Sequence, residues 1–280
     1  MTQDDAWLLS GFGDEISPDP RVQCAVLAAL GARHIEVRSA WDTNIVEMDD
    51  DALHRLATVL KAEGLGCSAI ASPIGKVPSD VEVGAEVTRL GRAANAARVL
   101  GARYIRIFSF YPAGGAAADE VRDDVLTRMR ALADEAERQD VVLLHENEKE
   151  IYGDIPRRCL DVVESVGSPA LRLAWDPANF VQVGVRPFDE GYAMLRPHVE
   201  YLQVKDALLA DGTVVPSGEG DGQVEETVKA LKGDGYVGYA SMEPHLALSQ
   251  DLGGFSGAEP FGRATRAFTA ILDRVGVSYR

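Results

Sequence analysis

Four oxygen-bearing side chains close or interrupt short apolar runs in the second half of the chain. Glu146 follows Val141-Val142-Leu143-Leu144-His145, Asp176 follows Leu171-Arg172-Leu173-Ala174-Trp175, Gln203 falls in Tyr201-Leu202-Gln203-Val204-Lys205-Asp206, and Glu243 follows Tyr239-Ala240-Ser241-Met242. Brought to one point, three carboxylates repel and raise one another's pKa unless a divalent cation neutralises them. A donor set made wholly of oxygen favours Mn²⁺ or Mg²⁺, with Zn²⁺ and Co²⁺ as alternatives. A single carboxylate at a strand end is more often a helix N-cap or a salt-bridge partner than a ligand, so the metal reading rests on the four together. Lys205 and His245 are placed to polarise a substrate oxygen.

Those four residues can meet only if the runs that carry them are neighbouring strands of one sheet. Strands are expected at 8–12, 34–38, 67–72, 104–108, 141–145, 171–175, 201–205 and 239–243. Between them lie amphipathic stretches expected as helices, at 51–63, 83–100, 118–139, 155–166 and 257–275, several followed by a glycine stop at Gly64, Gly101 or Gly167. Runs such as Val141-Val142-Leu143-Leu144 are apolar on consecutive positions, the mark of a parallel strand buried on both faces. Eight βα units in 280 residues, without a linker or compositional break, predict a (β/α)8 barrel as a single domain over 1–280. In a barrel every strand end opens on the same face, which gathers the four donors around the axis. A doubly wound dinucleotide-binding sheet would need a glycine-rich turn after an early strand. Gly11-Phe12-Gly13-Asp14-Glu15 offers an acidic pair there instead.

Weaker signals come from the opposite wall. Glu15, Glu36, Arg38, Lys76 and Arg106 fall at or near the ends of the first four strands, where they would reach a hydroxylated substrate or serve equally as ion pairs across the barrel mouth. His145 alternates away from Glu146 and reads as a core or supporting histidine. Gly218-Glu219-Gly220-Asp221-Gly222 has the glycines of a phosphate cradle but acidic residues between them, which suits a turn or a loop beside a metal. Trp7, Trp41 and Trp175 are core residues by default, or an apolar face for a sugar ring.

Composition narrows the partners. The chain is 46% apolar and 26% charged, and 28 Lys and Arg against 44 Asp and Glu give a formal charge of -16. Such a surface repels phosphate backbones and anionic lipid, so neither nucleic acid nor membrane is expected. Cys24, Cys67 and Cys159 show no paired spacing and read as reduced core residues, and no run approaches a membrane span or a secretory leader. A cytoplasmic location is the corresponding expectation.

The sequence also resembles the sugar phosphate isomerase/epimerase superfamily of xylose isomerase-like TIM barrels. The resemblance is carried by Gly13-Asp14-Glu15-Ile16-Ser17, Ser72-Pro73-Ile74-Gly75-Lys76, His145-Glu146-Asn147, Trp175-Asp176-Pro177-Ala178-Asn179, Val204-Lys205-Asp206, Gly218-Glu219-Gly220-Asp221 and Met242-Glu243-Pro244-His245. It implies metal ligands at Glu146, Asp176, Gln203 and Glu243, catalytic roles for Glu146, Glu243, Lys205 and His245, and a substrate-contacting wall of Glu15, Arg38, Lys76, Arg106 and Asn179. Two positions depart from the family pattern: Gln203 replaces a histidine ligand, and Asn179 replaces a histidine three residues after the metal aspartate.

The implied activity is metal-dependent isomerisation or epimerisation of a small polyhydroxylated substrate, a sugar, keto sugar or cyclitol, through an enediolate. Carboxylates would do the proton work. Pairing of barrels in this family allows a homodimer. A dehydratase of a keto-cyclitol or 3-keto sugar shares the first step and stays open, as does a barrel that binds sugar without turnover. The nuclease branch needs many histidines for its metal centre, whereas this chain has five.

Overall fold

The computed structural model describes residues 6–246 and 256–280. Eight parallel strands form its core: β1 (Leu8–Gly11), β2 (His34–Val37), β3 (Gly66–Ala71), β4 (Tyr104–Ile107), β5 (Val142–Glu146), β6 (Leu171–Trp175), β7 (Val199–Val204) and β8 (Tyr239–Met242). Seven parallel ladders join each strand to the next from β2 round to β8 and then β1, and the Phe12–Glu36 bridge closes the ring between β1 and β2. Helices α1 (Pro20–Ala29), α2 (Asp50–Glu63), α3 (Val83–Leu100), α4 (Arg122–Gln139), α5 (Pro156–Val166), α6 (Pro177–Gln182), α7 (Val224–Gly233) and α8 (Ala258–Val275) occupy the connections. This is the expected α/β barrel.

Local chemistry explains the element ends. Asp19 and Asp49 cap α1 and α2 by accepting the amides of Arg21 and Ala52, and Gly64, Gly101 and Gly167 close α2, α3 and α5 in the left-handed conformation. All eight expected strands appear, with ends shifted by at most two residues. The helical run at 188–198, between β6 and β7, includes a one-turn π segment at Phe188–Tyr192 that hydrophobic periodicity does not signal.

Alternation along the strands divides the core in two. Residues such as Leu143, Leu173 and Leu202 join the large cluster beneath the helices. Ala69, Leu144, Ala174 and Tyr201 form a separate buried cluster, with Tyr104 and Tyr239 packed against it. Next to this cluster a polar layer crosses the ring from β1, β2, β3 and β7. Ser10 meets Ser68 at 2.6 Å, the Tyr201 hydroxyl donates to Glu36 at 2.9 Å, and Gln203 Nε2 donates to the same carboxylate. The three cysteines are free and buried, and among the described residues no helix is long and apolar enough to cross a membrane.

The loop after β3 depends on one glycine. Gly75 has φ +83°, its N–H donates to Glu86 at 2.7 Å, and a Cβ there would run into the Phe108 main chain. Gly75→Ala combines left-handed strain with a backbone clash, and about 3 kcal/mol of stability should be lost. Urea unfolding measures this, and a loss under 1 kcal/mol contradicts the clash.

Candidate active site

The C-terminal ends of the strands open on a cleft of about 170 Å³ lined by Arg38, Ser72, Lys76, Arg106, Glu146 and Glu243, among others. At one side of it Glu146, Asp176 and Glu243, all buried, each present an oxygen within 4.8 Å of the others. The register produces this convergence. Glu146 is level with Ala174, Trp175 with Leu202, and Gln203 with Ser241, so consecutive strands deliver polar residues to neighbouring heights.

Each carboxylate is held from behind. Asp176 caps α6 by accepting the Asn179 amide at 2.9 Å, and the Asn147 side chain bonds both main-chain groups of Asp176, at 2.8 and 3.0 Å. Asn179 Nδ2 then reaches Glu146 Oε1 at 3.2 Å and the Asn147 carbonyl at 2.9 Å. Asn179, a candidate substrate contact, is therefore buried and engaged in fixing Glu146. On the other side Arg106 stands 3.2 Å from Glu146 Oε2.

Lys205 Nζ lies between two of the acids, 2.8 Å from Asp176 Oδ2 and 3.2 Å from Glu243 Oε2. Burial disfavours its charge, but Asp176, Glu243 and Glu146 hold it protonated, with a pKa well above the ordinary lysine value. Arg38 binds three carboxylates at once: Asp14 at 2.8 Å, Glu15 at 3.3 Å and Glu243 at 3.0 Å. His245 faces Glu15 at 2.8 Å and Glu243 at 3.4 Å, giving a second close group of Glu15, Glu243 and His245. Lys76 pairs with Glu148 at 2.9 Å over the Phe108 ring. Glu148 sits in a loop of mixed charges at 147–150, and nothing in that pattern distinguishes it from its neighbours.

These surroundings drive the two glutamates apart. Burial pushes Glu146 up to about 8 against the pull of Arg106. Burial would raise Glu243 as well, but Lys205, His245, Arg38 and Arg106 hold it well below the usual carboxylate range. Burial also raises Asp176 and Glu36.

The residues fit a divalent cation. Asp14, Glu15, Glu36, Glu146, Glu148, Asp176 and Glu243 bring seven carboxyl groups into or beside the cleft, where Arg38, Lys76, Arg106 and Lys205 supply four positive charges. Gln203 is buried below them, and its Oε1 has no hydrogen-bond partner among the described residues. A hard cation suits an excess of anionic oxygen beside an unsatisfied amide oxygen.

The glycine-rich loop has an internal guest. Asp206 receives the amides of Ala207, Gly218, Gly220 and Gly222 at 2.8–3.1 Å. A Cβ at Gly220 would collide with that carboxylate and with the Ala207 carbonyl. The cradle thus binds this chain's own anion and fixes the backbone next to Lys205. The tryptophans serve packing: Trp7 meets Tyr236 edge-on, Trp175 meets Phe180, and Arg55 covers Trp41.

His145 points outward from β5, fully buried beside Cys159, Trp175 and Phe180, and neither ring nitrogen has a hydrogen-bond partner among the described residues. It is a core residue.

The xylose isomerase-like TIM barrel family model matches residues 24–256. A probable L-ribulose-5-phosphate 3-epimerase from Mycoplasma pneumoniae is 28% identical over 145 residues, which are 52% of this chain and 47% of that one. The chain therefore aligns with about half the length of this curated relative. A xylose isomerase-like TIM barrel protein from Mycobacterium smegmatis in complex with magnesium superposes with TM-score 0.71 and 20% identity, over 97% of this chain and all of that one. The D-allulose 3-epimerase from Methylomonas sp. in complex with D-allulose gives TM-score 0.73 and 17% identity, over 96% and 97% of the two chains. At those identities the structural likeness is one of fold.

Two outcomes test the supports. Gly220→Ala should destabilise the protein by about 2 kcal/mol in urea unfolding; an unchanged midpoint contradicts the Asp206 cradle. Burial lowers the His145 pKa from 6.5 to about 3, so the folded form stays neutral while the unfolded chain takes up a proton below 6.5. Stability is therefore lost as pH falls from 6.5 towards 3, by about 1.4 kcal/mol per pH unit from this group. Relative to wild type, His145→Leu should remove that slope, as read from urea midpoints between pH 6.5 and 4.5; parallel slopes contradict a neutral buried ring.

Proposed function

Because the chain belongs to the xylose isomerase-like TIM barrel family, we propose that it is a divalent-metal-dependent isomerase or epimerase. Its substrate would be a ketose, keto sugar or cyclitol, and its chemistry would pass through an enediolate. The observation that carries the reading is the convergence of Glu146, Asp176 and Glu243 within 4.8 Å beside an open cleft.

Glu146, Asp176, Gln203 and Glu243 would hold the cation, which supplies Lewis-acid polarisation of a substrate carbonyl and its neighbouring hydroxyl when bound. The remaining work belongs to the chain. Glu146 at the end of β5 and Glu243 just after β8 remove a proton from the carbon beside the carbonyl and return one from the other side. Return to the same carbon inverts it, and return to its neighbour moves the carbonyl. Lys205, kept charged by two acids, is a donor for oxygen charge rather than a base. Arg38 and His245 orient Glu243, while Asn179 and Arg106 orient Glu146. The cleft-lining Lys76 and Asn44 offer donors to substrate hydroxyls.

Elemental analysis of the purified protein, followed by incubation with ketoses and keto-cyclitols in deuterated water, tests this reading. The expected result is a bound divalent metal and one deuteron per turnover at the acidic carbon, with no other mass change. Loss of water would make the protein a dehydratase, and absence of both metal and exchange would leave a sugar-binding barrel. Glu243→Gln should lower exchange by about 10³-fold while the protein remains folded by circular dichroism. Exchange within tenfold of wild type overturns the role of Glu243.

A further inference from the structure

Resemblance assigns a histidine ligand to the position where Gln203 stands, and the neighbours of Gln203 on the inner face of the ring show how the amide is held. Its Nε2 lies 3.1 and 3.2 Å from the two carboxylate oxygens of Glu36, 167 residues away and fully buried. Glu36 is itself anchored: it receives the Tyr201 hydroxyl at 2.9 Å, and that hydroxyl lies 2.9 Å from Ser68, which meets Ser10 at 2.6 Å. A carboxylate accepts hydrogen bonds and an amide nitrogen donates them, so the pair fixes the amide in one of its two orientations. Oε1 is then the end turned away from Glu36, and it is buried without a hydrogen-bond partner among the described residues.

An unsatisfied buried acceptor opposes folding and needs a reason to persist. The strand register supplies one. Trp175 pairs with Leu202, so Asp176 and Gln203 follow at the same level on adjacent strands.

We propose that Glu36 is a positioning residue that sets the Gln203 amide with its oxygen presented to the cation. A position that resemblance assigns to a nitrogen ligand thereby becomes an oxygen ligand, and the site is tuned to hard ions. The same carboxylate could equally accept the N–H of an imidazole at position 203, so the oxygen character of the site resides in residue 203 and its orientation in Glu36. This inference rests on the metal site proposed above and concerns only how the chain builds it.

The test is titration of metal-stripped protein with MnCl₂ and ZnCl₂ by calorimetry, in wild type, Glu36→Gln and Gln203→His, with no substrate present. Glu36→Gln keeps size and shape but can donate as well as accept, so it no longer dictates the orientation of Gln203. Mn²⁺ affinity should fall about 10- to 100-fold in that variant while the unfolding midpoint of the stripped protein does not drop. Gln203→His should raise the preference for Zn²⁺ over Mn²⁺ by at least about tenfold.

Mn²⁺ affinity within threefold of wild type in Glu36→Gln overturns the proposal, as does an unchanged Zn²⁺ to Mn²⁺ ratio in Gln203→His. A change in stability alone, without a change in metal affinity, assigns Glu36 a purely structural role and also overturns it. If Glu36→Gln does not fold, Glu36→Asp, which draws the carboxylate back from the amide, takes its place, and Mn²⁺ affinity within threefold of wild type again overturns the proposal. Wild-type protein that takes up neither ion defeats the metal reading itself, whereas wild-type binding with insensitive variants defeats only the roles of Gln203 and Glu36.

Discussion

An excess of negative charge buried at one end of the barrel is the constraint around which the rest of the molecule is arranged. Carboxylates taken out of water are tolerated only where opposite charge or donated hydrogen bonds meet them. Arg38, Arg106 and Lys205 each bridge from one strand end to acids on others, so the ion pairs are also cross-links that hold the mouth of the ring in shape. Fixing Glu146 and Glu243 in unlike surroundings separates their proton affinities.

Behind this charged layer, the fold supplies rigidity through hydrogen bonds to main chain. Asn147 clamps the backbone of Asp176, Asn179 ties Glu146 to the first turn of α6, and Asp206 gathers four amides beside Lys205. None of these residues adds donors to the cleft itself. They restrict the rotamers of the residues that do, and preorganisation of this kind allows a small set of side chains to act on a developing charge.

The barrel and the positions of Glu146, Asp176 and Glu243 were legible in the sequence because both depend on local pattern. Two-faced apolar runs define parallel strands, and the first polar residue after each run must lie at the strand end. What stayed hidden depends on contacts between distant segments. The bond between Glu36 and Gln203 crosses the ring and leaves no trace in either segment. Asn179 read as a contact for substrate because its place in the motif suggests the cleft, whereas its amide is turned onto Glu146 and Asn147. The glycines of 218–222 read as a turn or a loop beside a metal, and the sequence gives no sign that their amides hold the carboxylate of Asp206 from the same chain.

That self-filled loop has a bearing on how anything reaches the site. Opening the segment would strip several amides from a buried carboxylate, so this part of the rim behaves as a fixed wall rather than a door. Across the cleft from Lys205 the lining includes Asn44 of the small hairpin after β2 and the half-exposed Lys76.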